Sequence, residues 1–294
     1  MEKMKPIPMT GDPYILKDGR DYYLVPTCKD PRLKTRVFQC YHSVDLTNWS
    51  EPVTILDLED VSWAKEKAWA PTMAKWKGKY YLAFCAEQQI GIAVSDSPMG
   101  KFRDILNRPL IAYNQYGFQT IDPCLYAEGE HIYLFWGEGK CNLVELALSP
   151  TTAAFLEEPV CISDHFYYQT SCTKKFDITV YNEAADIIKI KDRYLLSWSI
   201  YDVKDPRYCV RYAWADNIYG PYIQPVDENG NVDNILLKGY GKTQCTGHAC
   251  ITEYEGEYFI FYGRDMMPRR GYQREIVRSR VIFGNEDRVC AVLD

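Results

Sequence analysis

The chain has 294 residues and a formal net charge of −6. An acidic balance without a clustered basic face excludes a nucleic-acid partner, which would need such a face to meet phosphates. No apolar run approaches the roughly 20 residues of a helical membrane span, so we read a single domain over residues 1–294, with no Gly/Ser- or Pro-rich linker and no low-complexity tract dividing it.

In chain order, one pattern recurs: a Gly-bearing or charged turn followed by an aromatic-rich strand. The first copy is Gly19-Arg20-Asp21-Tyr22-Tyr23-Leu24, preceded by Gly11-Asp12-Pro13-Tyr14-Ile15 and followed by Tyr41–Trp49, a strand running into a polar turn. The second is Gly78-Lys79-Tyr80-Tyr81-Leu82, with Ala68-Trp69-Ala70-Pro71 before it and Ser95-Asp96-Ser97-Pro98-Met99-Gly100 after it. The third, Gly129-Glu130-His131-Ile132-Tyr133-Leu134, follows Ile121-Asp122-Pro123. Residues 151–158 read as a short helix or loop. The fourth, Lys191-Asp192-Arg193-Tyr194-Leu195-Leu196, follows Asn182-Glu183-Ala184-Ala185-Asp186, and the fifth, Gly256-Glu257-Tyr258-Phe259-Ile260, follows Thr246-Gly247-His248-Ala249. The last residues of the five copies lie 58, 52, 62 and 64 positions apart.

Self-similarity at a near-constant period signals a repeat architecture. Each unit reads as an apolar inner strand, a hairpin to a Tyr-rich strand and further outer strands, without sustained helical periodicity. One small sheet cannot bury both of its faces. Five arranged radially can, so the expected fold is all-β, a five-bladed β-propeller. Inner strands of such a fold converge on a central hub, and each blade there offers the residue just before its Tyr-rich hairpin: Asp12, Trp69, Asp122, Glu183 and His248. Three carboxyl groups crowded around one pocket oppose one another's ionisation, so one is pushed to keep its proton while another stays charged. That pairing is what glycoside hydrolysis uses, an acid for the leaving oxygen and a base for water.

These anchors, in this order and spacing, resemble glycoside hydrolase family 43 across essentially the whole chain. The motifs are Asp12-Pro13-Tyr14-Ile15, Trp69-Ala70-Pro71, Gly78-Lys79-Tyr80-Tyr81-Leu82, Ile121-Asp122-Pro123, Glu183-Ala184 and Thr246-Gly247-His248-Ala249. At Glu183-Ala184-Ala185-Asp186 the chain departs from the commoner Glu-Gly-Pro or Glu-Ala-Pro, which makes Asp186 a neighbouring acid to weigh. The resemblance implies Asp12 as general base, Glu183 as general acid and Asp122 as the carboxyl that tunes and orients the acid. It implies His248 at the axis, often helping to hold a hydrated calcium ion. It also implies Arg274 as a contact to sugar hydroxyls and the acid network, and Trp69 and Phe118 as walls of the sugar pocket. The implied activity is an inverting α-L-arabinofuranosidase or β-D-xylosidase acting on arabinose- or xylose-containing oligosaccharides.

Two rival readings stay open. One is a propeller glycosidase of other specificity, galactosidase or β-fructosidase-like; the other is a non-catalytic sugar-binding propeller, which would have no need of three acids. Gly239-Tyr240-Gly241-Lys242-Thr243 ends like a phosphate-binding loop, but Leu236 stands where its first glycine belongs. The eleven scattered cysteines form no Cys-x-x-Cys pair, and Met1–Thr10 lacks an apolar signal core, so a reducing cytoplasmic location is expected.

Overall fold

The structure is a computed structural model describing residues 3–28, 35–116, 119–164, 166, 180–266, 274–285 and 287–293. The described residues form five antiparallel sheets of four or five strands, the blades of a propeller. Blade 1 runs Thr10–Asp18, Asp21–Cys28, Val37–Ser43, Val53–Asp57 from hub to rim. Blade 2 runs Trp69–Trp76, Lys79–Ala86, Gln89–Ser95, Arg103–Asp104. Blade 3 runs Cys124–Glu128, His131–Trp136, Asn142–Ser149, with Thr152–Phe155 and Val160–Cys161 sharing its outer edge. Blade 4 runs Glu183–Ile190, Arg193–Ile200, Cys209–Ala215, Ile235–Leu237. The five-bladed fold read from the repeat is therefore borne out. The segment 151–158 is corrected from helix or loop to strand at Thr152–Phe155, because antiparallel pairing with Leu146–Ser149 offers its backbone a ladder.

Blade 5 closes the ring. Its strands Thr243–Tyr254, Glu257–Met266 and Glu275–Phe283 are joined at the outer edge by Val289–Val292 and by the N-terminal strand Ile7–Pro8, which pairs Ile7 with Ile276. Residues 7–8 and 289–292 thus share one sheet. Thr10 ties the following turn down by donating its hydroxyl to the Ile7 carbonyl at 2.6 Å.

The aromatic-rich second strands exist because a blade has neighbours on both faces. Side chains alternate across a strand. In blade 2, Tyr80, Leu82 and Phe84 enter the core shared with blade 1, while Tyr81 and Ala83 enter the core shared with blade 3. In blade 5, Phe259 and Phe261 face blade 1, and Ile260 and Tyr262 face blade 4. The buried apolar residues accordingly fall into five clusters, one between each adjacent pair of blades. Fully burying one such side chain is worth about 1.5–3 kcal/mol, and the ring repeats this five times without exposing a long edge. Hydrogen bonds near the hub stitch the blades further: Ala70 N–H to the Thr27 hydroxyl at 2.7 Å, Leu125 N–H to the Thr72 hydroxyl at 3.1 Å, and the Tyr14 hydroxyl to the Leu125 carbonyl at 3.2 Å.

Candidate active site

The hub is built by one backbone irregularity repeated in every blade. Asp12, Ala70, Asp122, Ala184 and His248 all have positive φ, between 41° and 62°. The ladders between first and second strands slip beside four of them, between Gly11 and Tyr14, Trp69 and Thr72, Glu183 and Asp186, and Gly247 and Ala249. A bulge of this kind bends the strand and re-aims its side chains. A left-handed residue other than glycine is uncommon, with Asp and His favoured among the exceptions. In blades 1, 3 and 5 the left-handed residue is itself the functional candidate; in blades 2 and 4 it is an alanine, and the candidate, Trp69 or Glu183, precedes it by one.

Asp12, Asp122 and His248 meet at the hub. His248 Nδ1 lies 3.4 Å from Asp12 Oδ1 and 3.6 Å from Asp122 Oδ2. Its backbone N–H donates to the Ser199 hydroxyl at 2.9 Å, fixing it against blade 4. Burial pushes the imidazole down to about 4, against the pull of Asp12, so it is neutral near pH 7. Arg274 comes from the blade 5 side and is 4 % exposed; its Nη1 donates to Asp12 Oδ1 at 2.5 Å and its Nη2 to the Gly247 carbonyl at 3.3 Å. A buried carboxylate needs such a counter-charge to stay ionised. The resemblance placed Arg274 against sugar hydroxyls and the acid network; the structure shows its bond to the acid Asp12.

The seat of Arg274 depends on two glycines. A Cβ on Gly263 would stand 2.5 Å from Arg274 Nε, and one on Gly11 would stand 2.8 Å from Nη1. Overpacking a tight site costs about 1–3 kcal/mol, and here the group displaced is the partner of Asp12. Gly263→Ala is expected to lower kcat at least tenfold while the protein still melts cooperatively. Steady-state kinetics alongside a thermal melt checks this, and an unchanged kcat would show that the Arg274–Asp12 contact can be dispensed with.

Glu183, from blade 4, accepts a hydrogen bond from the Tyr208 hydroxyl at 2.7 Å. Desolvation by burial pushes its carboxyl up to about 7; Tyr208 opposes the shift, Asp12 and Glu138 add to it, and Arg274 opposes it. Asp122 is driven well above the ordinary carboxylate range, first by burial and then by the charges of Glu183, Asp12 and Glu138. The three acids thus act on one another across the hub. Asp186, the neighbouring acid in blade 4, is a separate matter. It is buried, its Oδ2 accepts the Ile251 N–H at 2.9 Å, and it is pushed up to about 7 by burial, with none of the three acids contributing.

Trp69 is half-buried at the start of the blade 2 inner strand, where it pairs with Cys85, and Lys67 Nζ lies 5.9 Å from the centroid of its ring. Phe118 lies outside the described residues. Sequence reasoning missed Tyr208, Ser199 and Glu138. Tyr208 left no signal because it lies in the connection between the second and third strands of blade 4, outside the recurring pattern. A calcium ion takes six to eight oxygen ligands, whereas among the described residues no group of three or more His, Cys, Asp or Glu side chains is arranged to hold a metal ion directly.

A family model, Glycosyl hydrolases family 43, matches residues 5–287. A beta-D-galactofuranosidase of Aspergillus niger is 25% identical over 273 residues, covering 86% of this chain and 73% of that protein. A xylosidase/arabinosidase of Bacteroides ovatus is 26% identical over 248 residues, covering 74% of this chain and 70% of that protein. Among solved structures, a thermostable family-43 glycoside hydrolase superimposes with a TM-score of 0.78 at 24% identity, covering 98% of this chain and 94% of that one, a likeness of fold.

Proposed function

The chain belongs to glycosyl hydrolases family 43, and from that premise we propose that it hydrolyses terminal pentosyl linkages, α-L-arabinofuranosyl or β-D-xylosyl, in plant-type oligosaccharides. The observation that carries the reading is the meeting of three carboxyl groups from three blades. Asp12 and Asp122 both face the neutral imidazole of His248, and Asp122 feels the charge of Glu183. A sugar-binding module has no use for that arrangement, whose mutual repulsion must be offset elsewhere in the fold.

In the proposed reaction Asp12, charged beside Arg274, takes a proton from water as that water attacks the anomeric carbon. Glu183, holding its proton near neutral pH, gives it to the leaving oxygen as the glycosidic bond breaks. Asp122 takes the tuning and orienting part that the resemblance implies, its own proton affinity coupled to the charge of Glu183. Water enters opposite the leaving group, so the anomeric configuration inverts. Trp69 would supply a wall for the sugar ring. A calcium ion, which the resemblance implies, would meet His248 only through its own water shell and would contribute electrostatic stabilisation.

The kinship with a beta-D-galactofuranosidase favours a second reading on the sugar itself. Galactofuranose has the ring arrangement of arabinofuranose with a longer exocyclic arm, so a pocket open at that arm would accept both. The test is hydrolysis of the nitrophenyl α-L-arabinofuranoside, β-D-xyloside and β-D-galactofuranoside, with proton NMR of the first product anomer. We expect an arabinosyl or xylosyl substrate to turn over fastest and to release the inverted anomer. Turnover confined to the galactofuranoside would replace the pentosyl reading, and a retained anomer would remove Asp12 from its role as base.

A further inference from the structure

The turn between the second and third strands of blade 3 has no assigned role, yet it is fastened to the strands that carry two of the acids. Gly137 N–H donates to the Ile121 carbonyl at 3.0 Å, one residue before Asp122, and Glu138 N–H donates to the Gln119 carbonyl at 3.3 Å. Gly139 N–H donates to the Asn182 carbonyl at 2.5 Å, one residue before Glu183. The Tyr181 hydroxyl reaches the Gly137 carbonyl at 3.5 Å, and Asn182 in turn donates its side-chain amide to the Tyr201 carbonyl at 2.6 Å. Gly137 has φ 124°, and a Cβ there would stand 2.3 Å from the Lys140 carbonyl oxygen, so the turn admits no side chain at that position. The result is a bracket that spans from blade 3 to blade 4 and holds half-buried Glu138 beside the residues that directly precede Asp122 and Glu183.

We infer that Glu138 is a positioning residue of the reaction, a fourth carboxylate that this bracket fixes at the rim of the hub so that its negative charge helps to hold the proton on Glu183. This deepens the hydrolase reading and rests on it. The charge of Glu138 acts on both Asp122 and Glu183, raising the proton affinity of each. Its own carboxyl is raised by burial and by Asp202 on the neighbouring blade 4 loop. The other groups facing Glu183 are Tyr208 and Arg274, which favour its charged form, Asp12, which opposes it, and Asp122, whose own proton affinity the charge of Glu183 raises. Removing one of the opposing charges therefore tips the balance toward a charged Glu183 at lower pH, and the acid is then spent sooner as pH rises.

The experiment follows the ¹³C-labelled glutamate carboxyl resonances of the full-length protein through a pH titration, with Glu183 identified by its disappearance in E183Q. The alkaline limb of kcat/KM on a natural oligosaccharide is measured alongside. In Glu138→Gln we expect the Glu183 midpoint and the alkaline limb to move together to lower pH, with KM within a few-fold of wild type. Glu138→Asp, which keeps the charge, should restore both. An unmoved Glu183 midpoint in Glu138→Gln overturns the inference, as does an equal shift in both variants, which would mark a packing effect. A midpoint that moves while the kinetic limb stays put upholds the electrostatic link and removes Glu183 from the acid role, so failure of the inference and failure of the hydrolase assignment give different results.

Discussion

Asp12→Asn is expected to lower kcat by about a hundred- to ten-thousand-fold, the range that a positioned general base contributes, on aryl glycosides and natural oligosaccharides alike. Both substrate types need an activated water, whatever their leaving group. The amide cannot take a proton from that water. It does keep an acceptor oxygen for Arg274 Nη1, which in the native protein bonds Asp12 Oδ1 at 2.5 Å, so the geometry of the hub is conserved while the charge is lost. That loss leaves a guanidinium 4 % exposed without its counter-charge, and breaking a buried pair outright costs about 3–5 kcal/mol. The variant must therefore be shown to be folded by near-UV circular dichroism and to bind free arabinose or xylose calorimetrically. A folded, sugar-binding Asp12→Asn protein with wild-type rates would take the base assignment away from Asp12.

The blades were legible because each repeat must satisfy two neighbours at once. A strand buried on both faces needs aromatic and aliphatic residues at successive positions, and Tyr22-Tyr23-Leu24, Tyr80-Tyr81-Leu82 and Tyr258-Phe259-Ile260 show it in the sequence. The closing strand was not legible, since Ile7–Pro8 is two residues long and its partner Ile276 lies at the far end of the chain. The hub residues were found through their spacing, and the reason the spacing works is the left-handed residue that all five blades place at this point. What the spacing could not give is which groups touch. Arg274 and Asp12 are 262 residues apart, and Tyr208 and Glu183 are 25 apart in different strand contexts. The first contact depends on blade 5 closing onto blade 1, and the second on a loop of blade 4 folding back to its own inner strand, neither of which a local pattern records. Glu138 was missed for a related reason: its turn is tethered by backbone hydrogen bonds, and those carry no residue signature.

Glu183→Gln separates the acid from the base by leaving group. A natural sugar leaves as an alkoxide unless it is protonated, so loss of the donor should lower kcat on an arabino- or xylo-oligosaccharide by about a hundred- to ten-thousand-fold. An aryl leaving group departs readily without that proton, so the same variant should retain most of its rate on a nitrophenyl glycoside. The substituted amide still offers an oxygen to the Tyr208 hydroxyl, which in the native protein bonds Glu183 Oε1 at 2.7 Å, so no buried donor is orphaned. The pH profile supplies the second half of the test. With the Glu183 carboxyl pushed up to about 7 by burial, the proton to be donated is present below that pH and lost above it. Wild-type kcat/KM on the oligosaccharide should therefore fall as pH rises through about 7. In Glu183→Gln that alkaline limb should disappear from the residual activity on the aryl substrate. Equal losses on both substrates, or an alkaline limb that survives the substitution, would place the acid elsewhere, and Asp122, the other carboxyl at the hub raised by burial and its neighbours' charges, would be the first group to test in its stead.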